Sequence, residues 1–402
     1  MMFRAFTTAA AAAVALLASA VVTPAAAQGV PMQLFEIGYV EIEDDPRYAR
    51  EFVYARIPAV PKFRPWEGAE LGIIDADSIG QFTGQDFELV RYSGTTVDDI
   101  AAWILQTKED RGIHFFLMDL GAEDIKAVTA ATANQDVMLF NVVEPDDALR
   151  SEYCAAHLMH TAPSYNMLMD ALTQYLVFQN WTRMLVLQGP LEDDAKMVAA
   201  LERSVRRNGA NIIANHEFVL SNDPREREQN NVRLMTGGTR DYDVVFIADT
   251  DGEFGRYVPY QVTRSRPVVG TSGLTPDWWH WTFERHGAPQ LNSRFFDHAD
   301  RFMLGPDWAA WAAVRSLAQA VLRSRSFEFE PVREMLQSDQ LRFDGYKGFQ
   351  LDYRPWNNQL RQNILVSVHN AVIARAPIEK FEHAINDLDT LGVDAPESTC
   401  RM

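Results

Sequence analysis

Short apolar runs alternate with stretches of helical periodicity along most of this chain, and that alternation limits the folds open to it. The clearest runs cover residues 114–119 (HFFLMD), 137–143 (VMLFNVV) and 242–249 (YDVVFIAD). They are apolar nearly throughout, as strands buried on both faces of a parallel sheet are. Helical patterns between such strands are typical of βαβ units. The sequence therefore predicts an α/β fold built on parallel sheets.

The alternation comes in two series, which indicates two lobes. The first series opens with a strand over residues 34–40 and is interrupted at 144–150, where Pro145 stands among several acidic residues. A chain of 402 residues also exceeds what one hydrophobic core usually holds. We therefore predict two Rossmann-like lobes joined by crossover hinge strands. The predicted first lobe takes residues 28–144 plus 267–341, and the second takes 145–266 plus 342–402.

Residues 1–27 have the pattern of a cleaved signal peptide. Arg4 gives a basic start, an Ala/Val/Leu run follows over residues 9–22, and Ala25, Ala26 and Ala27 provide small residues at a cleavage site. The apolar run is shorter than the about 20 residues that a membrane span needs. An uncleaved anchor is the alternative. We expect an exported protein, cleaved near Ala27.

Composition and net charge limit the kinds of partner that this protein can bind. The net charge of −18 argues against nucleic acids and anionic membrane surfaces, both of which need a basic footprint. A hydrophobic content of 47% supplies enough apolar material for two cores. An anionic ligand stays possible, because a buried pocket can gather arginines while the outer surface is acidic.

The chain has two cysteines, Cys154 and Cys400. In an exported chain an even number favours a disulfide, which here would tie the C-terminal tail to the region near residue 155. Alternatively, Cys154, His157 and His160 have a spacing that could offer three ligands to a metal, although no fourth ligand is visible.

Catalytic motifs are scarce. The sequence has no G-x-S-x-G elbow, no P-loop and no H-E-x-x-H, and Thr236-Gly237-Gly238 is more typical of a turn than of a phosphate cradle. We therefore predict a protein that is not an enzyme, that holds no metal and that requires no cofactor. An exported α/β enzyme is the alternative from a different functional class.

Ligands of two-lobed α/β proteins bind at the carboxyl ends of the parallel strands, where loops of both lobes face each other. A helix that begins there adds backbone N–H groups suited to a carboxylate. These rules select Tyr39, Glu41, Asp119, Asn141, Glu144, Gln188, Asp249 and Thr271 after predicted strands, and Ser164 and Tyr165 at a predicted helix start.

Two segments resemble type I periplasmic binding proteins. Residues 68–77 (GAELGIIDAD), followed by Gly80, Gly84 and the strand Phe87-Glu88-Leu89-Val90, are similar to the first helix and second strand of that family. Residues 343–349 (FDGYKGF), followed by a polar turn and Gln359, are similar to its closing motif. The resemblance covers nearly the whole mature chain. It implies a monomeric solute-binding protein of the periplasm that delivers a small ligand to an inner-membrane ABC permease.

The chain departs from the amino-acid-binding members through an acidic insertion at residues 41–66. Residues 353–362 and the Trp278–Trp281 cluster look most similar to a branch associated with quinoprotein alcohol oxidation, which implies pyrroloquinoline quinone (PQQ) as the bound ligand. An alcohol-derived acid, an amino acid or a sensory role are the alternatives. PQQ is a flat aromatic tricarboxylate, so it needs stacking surfaces and cationic donors. The expected residues are Trp278, Trp279 and Trp281 for stacking, and Arg47, Arg64, Arg285 and Arg354 for the carboxylates.

Overall fold

The computed structural model describes residues 32–48, 62–221, 223–238 and 241–402. The predicted signal peptide and residues 49–61 of the insertion lie outside these ranges. Within them, no helix combines the length and the apolar character that crossing a membrane requires.

The regular elements follow the predicted alternation. The strands are β1 (Gln33–Ile42), β2 (Gln85–Gly94), β3 (Phe115–Asp119), β4 (Met138–Asn141), β5 (Leu158–His160), β6 (Arg183–Gln188), β7 (Asn211–Glu217), β8 (Val244–Ala248), β9 (Val268–Gly270), β10 (Thr275–Asp277), β11 (Phe343–Asp344), β12 (Gln350–Leu351), β13 (Ile364–Val368) and β14 (Ala371–Ala376). The helices are α1 (Trp66–Thr83), α2 (Val97–Arg111), α3 (Ala122–Ala131), α4 (Tyr165–Phe178), α5 (Glu192–Asn208), α6 (Pro224–Arg227), α7 (Val232–Gly237), α8 (Ala288–Ala299), α9 (Gly305–Ser324) and α10 (Phe329–Leu336).

Two parallel sheets organise the molecule. The first has the strand order β2-β1-β3-β4-β5 and the second has the order β7-β6-β8-β9. Strands β3 and β8 are buried along their whole length, which explains their continuous apolar sequences. We call the first sheet with its helices the first lobe and the second sheet with its helices the second lobe. The predicted α/β class with parallel sheets is confirmed.

The glycines of the GAELG motif allow α1 to approach α9 closely. A Cβ atom on Gly68 would lie 2.2 Å from the carbonyl oxygen of Asp307, and one on Gly72 would lie 2.8 Å from Cβ of Val314. Trp308 and Trp311 of α9 are buried in the same core. The motif therefore serves helix packing, which fixes where α1 begins beside the strand ends.

Three chain segments connect the lobes, at residues 161–164, 271–287 and 352–363. Hydrogen bonds join the first and third: the Gln362 Nε2 donates to the Thr161 carbonyl at 2.7 Å, and the Gln359 Nε2 donates to the Ala162 carbonyl at 3.0 Å. Buried Arg150 donates to Gln359 Oε1 at 2.9 Å. These side chains hold the crossover segments together.

The predicted lobe boundaries fall earlier in the chain than these crossings. Pro145 interrupts the sheet pattern, but the chain returns to the first sheet as β5, which pairs with β4. Strand β9 pairs with β8 of the second sheet. Phe343 and Leu351 belong to the first lobe's core. The predicted crossings followed local turn signals and therefore differ from those in the structure. The edge strands that decide where the chain crosses are only two or three residues long and give little signal in the sequence.

Cys154 and Cys400 form a disulfide, with their sulfur atoms 2.08 Å apart. Cys154 is therefore not a metal ligand, and His157 Nε2 lies 3.2 Å from the Thr129 carbonyl oxygen. In the ranges the structure describes, no group of three or more His, Cys, Asp or Glu side chains is arranged to hold a metal ion.

Candidate ligand-binding cleft

The carboxyl ends of β1, β2 and β3 bring polar side chains of the first lobe together. Glu41 pairs in register with Asp119 on one side and with Ser93 on the other. Tyr39, two residues earlier on β1, points to the same face of the sheet as Glu41. The rule that ligand loops follow parallel strands thus places three predicted residues, Tyr39, Glu41 and Asp119, in one site.

Asp119 is the centre of this site and is completely buried. Its carboxylate accepts hydrogen bonds from Tyr48 Oη at 2.7 Å, Arg47 Nη2 at 3.1 Å, Tyr39 Oη at 3.3 Å and Arg64 Nη1 at 3.3 Å. Burial raises the pKa of Asp119, while the neighbouring guanidinium groups and the Tyr48 hydroxyl counteract that rise.

Glu41 is the second acceptor. It receives the Ser93 hydroxyl at 2.6 Å, Arg91 Nε at 3.0 Å and Arg64 Nη1 at 3.2 Å. The guanidinium of Arg91 also lies 4.7 Å from the ring centre of Trp66 at the start of α1. Each of these long basic side chains is therefore fixed by a carboxylate and an aromatic face.

In this cluster, three arginines meet three carboxylates. Arg47 Nε donates to Asp45 at 2.9 Å, and the other ion pairs join Arg47 and Arg64 to Asp119, and Arg64 and Arg91 to Glu41. We call Glu41, Asp45, Arg47, Arg64, Arg91 and Asp119 the paired cluster. Arg47 and Arg64 were expected as free forks for ligand carboxylates. The structure corrects this expectation, because both guanidiniums are already neutralised.

Asn141 shapes the turn after β4. Its Oδ1 accepts from the backbone N–H of Glu144 at 2.8 Å, and its Nδ2 donates to the Glu144 carbonyl at 2.8 Å. The side chain is fully buried. Asn141 was expected to contact ligand, but it satisfies the backbone of the crossover instead.

The start of α4 holds an anion supplied by the chain itself. Ser164 Oγ accepts from the backbone N–H of Met167 at 3.3 Å, as an N-cap residue does. Asp147 accepts from the backbone N–H of Asn166 at 3.1 Å. Burial raises the pKa of Asp147 to about 6. The position at which a ligand carboxylate was expected is therefore occupied by Asp147.

Tyr165, the first residue of α4, is only 6% exposed. In the described residues, its hydroxyl is not one of the buried polar atoms that lack a hydrogen-bond partner. Burial raises the pKa of Tyr165 first, and the negative charges of Asp193 and Glu144 raise it further.

Glu144 shows that the two lobes face each other at this point. Burial raises its pKa, the charge of Asp193 raises it further, and the charge of Arg47 lowers it. Asp193 lies on α5 of the second lobe, whereas Arg47 belongs to the first lobe. A direct contact joins the same two regions, since Lys196 of α5 lies 2.8 Å from Asp146, two residues after Glu144. The turn that carries Glu144 and the start of α5 therefore face each other.

The remaining second-lobe candidates have internal partners. Gln188 Oε1 accepts from Asn215 Nδ2 at 2.8 Å, and Thr271 Oγ1 donates to the Ile247 carbonyl at 3.2 Å. Asp249 is 1% exposed, and one of its oxygens accepts the backbone N–H of Gly255 at 2.6 Å. Burial raises the pKa of Asp249 to about 6, and the charge of Asp194 adds to the rise.

The tryptophan cluster does not line the cleft as one surface. Trp279 is 3% exposed, and its ring stacks on that of Trp308 with 6.2 Å between ring centres. Trp281 stacks on Phe302 at 4.4 Å, and Trp278 packs against the cores of both lobes. The expected PQQ stacking platform is therefore corrected: adjacent tryptophans point into different environments.

Arg354 is also internal. It is 1% exposed, donates to Asp389 Oδ1 at 2.9 Å, and donates to the Leu391 carbonyl at 2.6 Å. It anchors the C-terminal tail, which corrects its expected role as a ligand fork. Arg285 is exposed and lies in the loop before α8.

A cavity of about 860 Å³ lies elsewhere in the first lobe. Its lining includes Thr83, Gln85 and Arg323. Because Gln85 begins β2, this cavity lies at the amino end of the sheet, opposite to the end that carries ligand loops in such folds. We assign no ligand to it.

Four residues of the cleft were missed by the strand-end rule: Tyr48, Arg91, Asp147 and Asp193. Tyr48 and Asp147 lie in short 3₁₀ turns, and Arg91 is within a strand. Asp193 carried a usable signal, since it stands in the acidic first turn Glu192-Asp193-Asp194 of α5, which also begins at a strand end.

No protein-family model matches the chain, and no curated protein matches it. Solved structures do. A branched-chain amino acid ABC transporter periplasmic ligand-binding protein from Burkholderia xenovorans LB400 is similar with a TM-score of 0.71 at 13% identity, over 92% of this chain and 99% of that one. A periplasmic binding protein from Burkholderia mallei gives 0.65 at 14% identity, over 91% and 98%. A branched-chain amino acid transporter substrate-binding protein from Streptococcus pneumoniae, in complex with isoleucine, gives 0.63 at 14% identity, over 85% and 99%.

At these identities the similarity defines the fold. The chain has the two-sheet α/β fold of type I periplasmic binding proteins, along nearly the full length of the solved structures. The resemblance to the branch associated with quinoprotein alcohol oxidation remains a prediction.

Proposed function

We propose that this protein is a periplasmic solute-binding protein that captures a small ligand between its two lobes and delivers it to an ABC transporter. The observation that carries the proposal is the contact between the lobes beside the strand ends, where Lys196 of α5 in the second lobe pairs with Asp146 of the first lobe at 2.8 Å. The fold, shared with periplasmic ligand-binding proteins of ABC transporters, supports the same role. The mechanism is hinge closure at the three crossover segments, stabilised by contacts that the ligand makes to both lobes only when they close.

The cleft residues support binding more than catalysis. Asp119 is saturated with four donors, Ser164 caps a helix and His160 is buried, so none of them forms a nucleophile with an adjacent base. A transporter or a sensory partner could receive the closed form. The transporter role is the one that the similar solved proteins carry in their names.

PQQ, the ligand expected from the sequence resemblance, finds little support in this cleft. The arginines Arg47, Arg64 and Arg354 are held by internal carboxylates, and Trp279 is packed in the core. A tricarboxylate would have to displace the chain's own carboxylates to bind there. We keep PQQ as a defined competitor for the binding tests.

The proposal is tested by small-angle X-ray scattering of the mature protein, with and without a small-molecule extract of the periplasm. Lobe closure should decrease the radius of gyration and raise the midpoint of thermal unfolding, because a ligand that binds only the folded state stabilises it. An unchanged radius of gyration with every extract and with PQQ would overturn the proposal. In a parallel titration, saturable quenching of tryptophan fluorescence by PQQ would support PQQ as the ligand.

A further inference from the structure

The C-terminal tail leaves the second lobe and ends on the first lobe. Leu391 is completely buried in the core of the second lobe. Further along the tail, Cys400 is bonded to Cys154. Cys154 lies in the loop before β5, between Leu149 and Leu158, and both of these leucines pack in the core of the first lobe. The tail therefore adds a covalent connection between the lobes to the three crossover segments.

Helices α4 and α5 hold the tail on the second lobe. Asp170 Oδ2 of α4 accepts the Gly392 N–H at 2.8 Å, and Arg203 Nη2 of α5 donates to the Gly392 carbonyl at 3.0 Å. Arg203 also pairs with Glu397 at 2.7 Å. Because Asp170 is completely buried, this anchor is stronger than a solvated surface contact.

The tail between Gly392 and Glu397 is held as well. The Val393 carbonyl accepts Trp356 Nε1 at 3.2 Å, and the Asp394 carboxylate lies 3.1 Å from His383 Nε2. The next residues, Ala395–Glu397, form a 3₁₀ turn. The tail therefore follows the second lobe as far as Glu397.

The loop that carries Cys154 is held on the first lobe. Asn358 Nδ2 donates to the Ala156 carbonyl at 3.1 Å and to the Leu158 carbonyl at 3.2 Å, on either side of the start of β5. A disulfide does not dissociate and re-form as an ion pair does. Cys400 therefore stays with the first lobe when the lobes rotate.

The piece of tail between these two anchors is short. We call residues 397–400, from Glu397 to Cys400, the strap. One residue spans at most about 3.6 Å when fully extended, so the strap reaches no further than about 11 Å. A rotation that separates the two anchors by more than this reach must break the contacts that hold Glu397.

We infer that the strap restricts the rotation of the two lobes and so limits how far the cleft opens. The inference rests on the proposed function and names a conformational control of the same hinge. Rotation in the closing direction is already limited by contact between the lobes, such as the Lys196–Asp146 pair at 2.8 Å, so a longer strap adds freedom towards opening. A narrower range of open forms leaves less conformational entropy to lose when a ligand closes the cleft.

The decisive experiment lengthens the strap and keeps the disulfide. About 12 glycine and serine residues, inserted between Ser398 and Thr399, add an average reach of about 20 Å. The same insertion between Cys400 and Arg401 lies outside the closed loop and is the matched control. The free energy of unfolding should stay nearly unchanged in both variants, because loop-closure entropy depends only weakly on loop length.

Small-angle X-ray scattering and hydrogen exchange of the ligand-free protein give the result. We expect the strap insertion to increase the radius of gyration and to speed amide exchange in the crossover segments 161–164 and 352–363 by roughly tenfold, since these segments bend when the lobes rotate. The control insertion should behave as the wild type. If the strap insertion also leaves both quantities at their wild-type values, the inference is overturned.

A second pair of variants separates the strap from stability. Cys154→Ser with Cys400→Ser cuts the connection and should increase the radius of gyration as the strap insertion does. Val128→Ala lowers stability through the core of the first lobe, away from the tail, and should keep the wild-type radius of gyration. An equal increase in Val128→Ala would overturn the inference, because loss of stability alone would then explain the opening.

These comparisons need no ligand, so their outcome is independent of the test of the proposed function. Compaction of the wild type by a periplasmic extract, with no effect of the strap insertion, overturns the strap and leaves the solute-binding function standing. An effect of the strap insertion without compaction by any extract supports the strap and overturns the solute-binding function.

Discussion

The charged side chains on the two sides of the cleft are paired to different extents. On the first-lobe side, three arginines and three carboxylates neutralise each other around buried Asp119. On the side formed by the crossover and the second lobe, Glu144, Asp193 and Asp249 meet fewer cations, and the pKa values of Glu144 and Asp249 are raised. A net charge of −18 therefore says less about ligand binding than the local pairing does.

This comparison distinguishes charged residues that stabilise the fold from charged residues that are free to bind a ligand. Paired charges satisfied by internal hydrogen bonds fix the geometry of the first lobe and offer little to a ligand. Buried carboxylates with few cations nearby, such as Asp249, cost folding free energy when they are ionised. The following changes test this contrast, beginning with the largest expected effect.

Removing Asp119, the centre of the paired cluster, should lower the free energy of unfolding more than the other changes. Asp119→Ala leaves the Tyr48 hydroxyl and two guanidiniums without their buried acceptor, so the free energy of unfolding should decrease by about 3–5 kcal/mol. Urea unfolding measures the change. Asp124→Ala is the matched control, because Asp124 lies in the first turn of α3 and its side chain is only partly buried. A loss of the same size there would contradict the special position of Asp119.

Breaking the disulfide tests a link that both sides share. The bond joins the loop before β5 of the first lobe to the tail, which is held on the second lobe through the Arg203–Glu397 ion pair. Cys154→Ser with Cys400→Ser should lower the free energy of unfolding by about 3 kcal/mol, because the cross-link spans a separation of 246 residues. Urea unfolding of the oxidised wild type and the double variant checks this. Equal midpoints would show that the tail stays attached without the bond.

Neutralising Asp249, a buried acid without a cation beside it, should increase the free energy of unfolding instead of lowering it. Burial raises the pKa of Asp249 to about 6 in the folded state, so its ionised form is disfavoured there. The penalty is absent below the unfolded-state pKa and complete above about pH 6. Asp249→Asn should therefore stabilise the protein by about 2 kcal/mol at pH 7.5 and by almost nothing at pH 4. Urea unfolding at both pH values measures the difference, and destabilisation at pH 7.5 would contradict the account.

The smallest expected effect on stability belongs to Tyr165. Tyr165→Phe removes one hydroxyl and keeps the buried ring, so urea unfolding without ligand should show a change of at most about 1 kcal/mol in the free energy of unfolding. A large stability loss would mean that the hydroxyl serves the fold rather than the ligand.

Much of the fold was predictable from local pattern. The apolar run at residues 114–119 became β3 (Phe115–Asp119), and the predicted helix at 165–179 became α4 (Tyr165–Phe178). These elements are long or fully buried, so their periodicity is clear. The crossings were misplaced because β5 and β9, each three residues long, give no such signal.

The site was predictable only where sheet geometry decides it. The strand-end rule brought Tyr39, Glu41 and Asp119 together, since parallel strands end at one edge. It could not show that Arg47 and Arg64, which come from the insertion, neutralise that edge. The role of Asp147 depends on an amide 19 residues further along the chain. Such pairings depend on tertiary contacts that neither composition nor spacing encodes.

The central claim is that the protein captures a small ligand between its two lobes. The most direct measurement purifies the protein from the periplasm of the cells that encode it, denatures it and identifies the released small molecule by mass spectrometry. The account predicts one small molecule in near-equal amount to the protein. Release of no small molecule, from a protein that also keeps its radius of gyration with every extract, would contradict it.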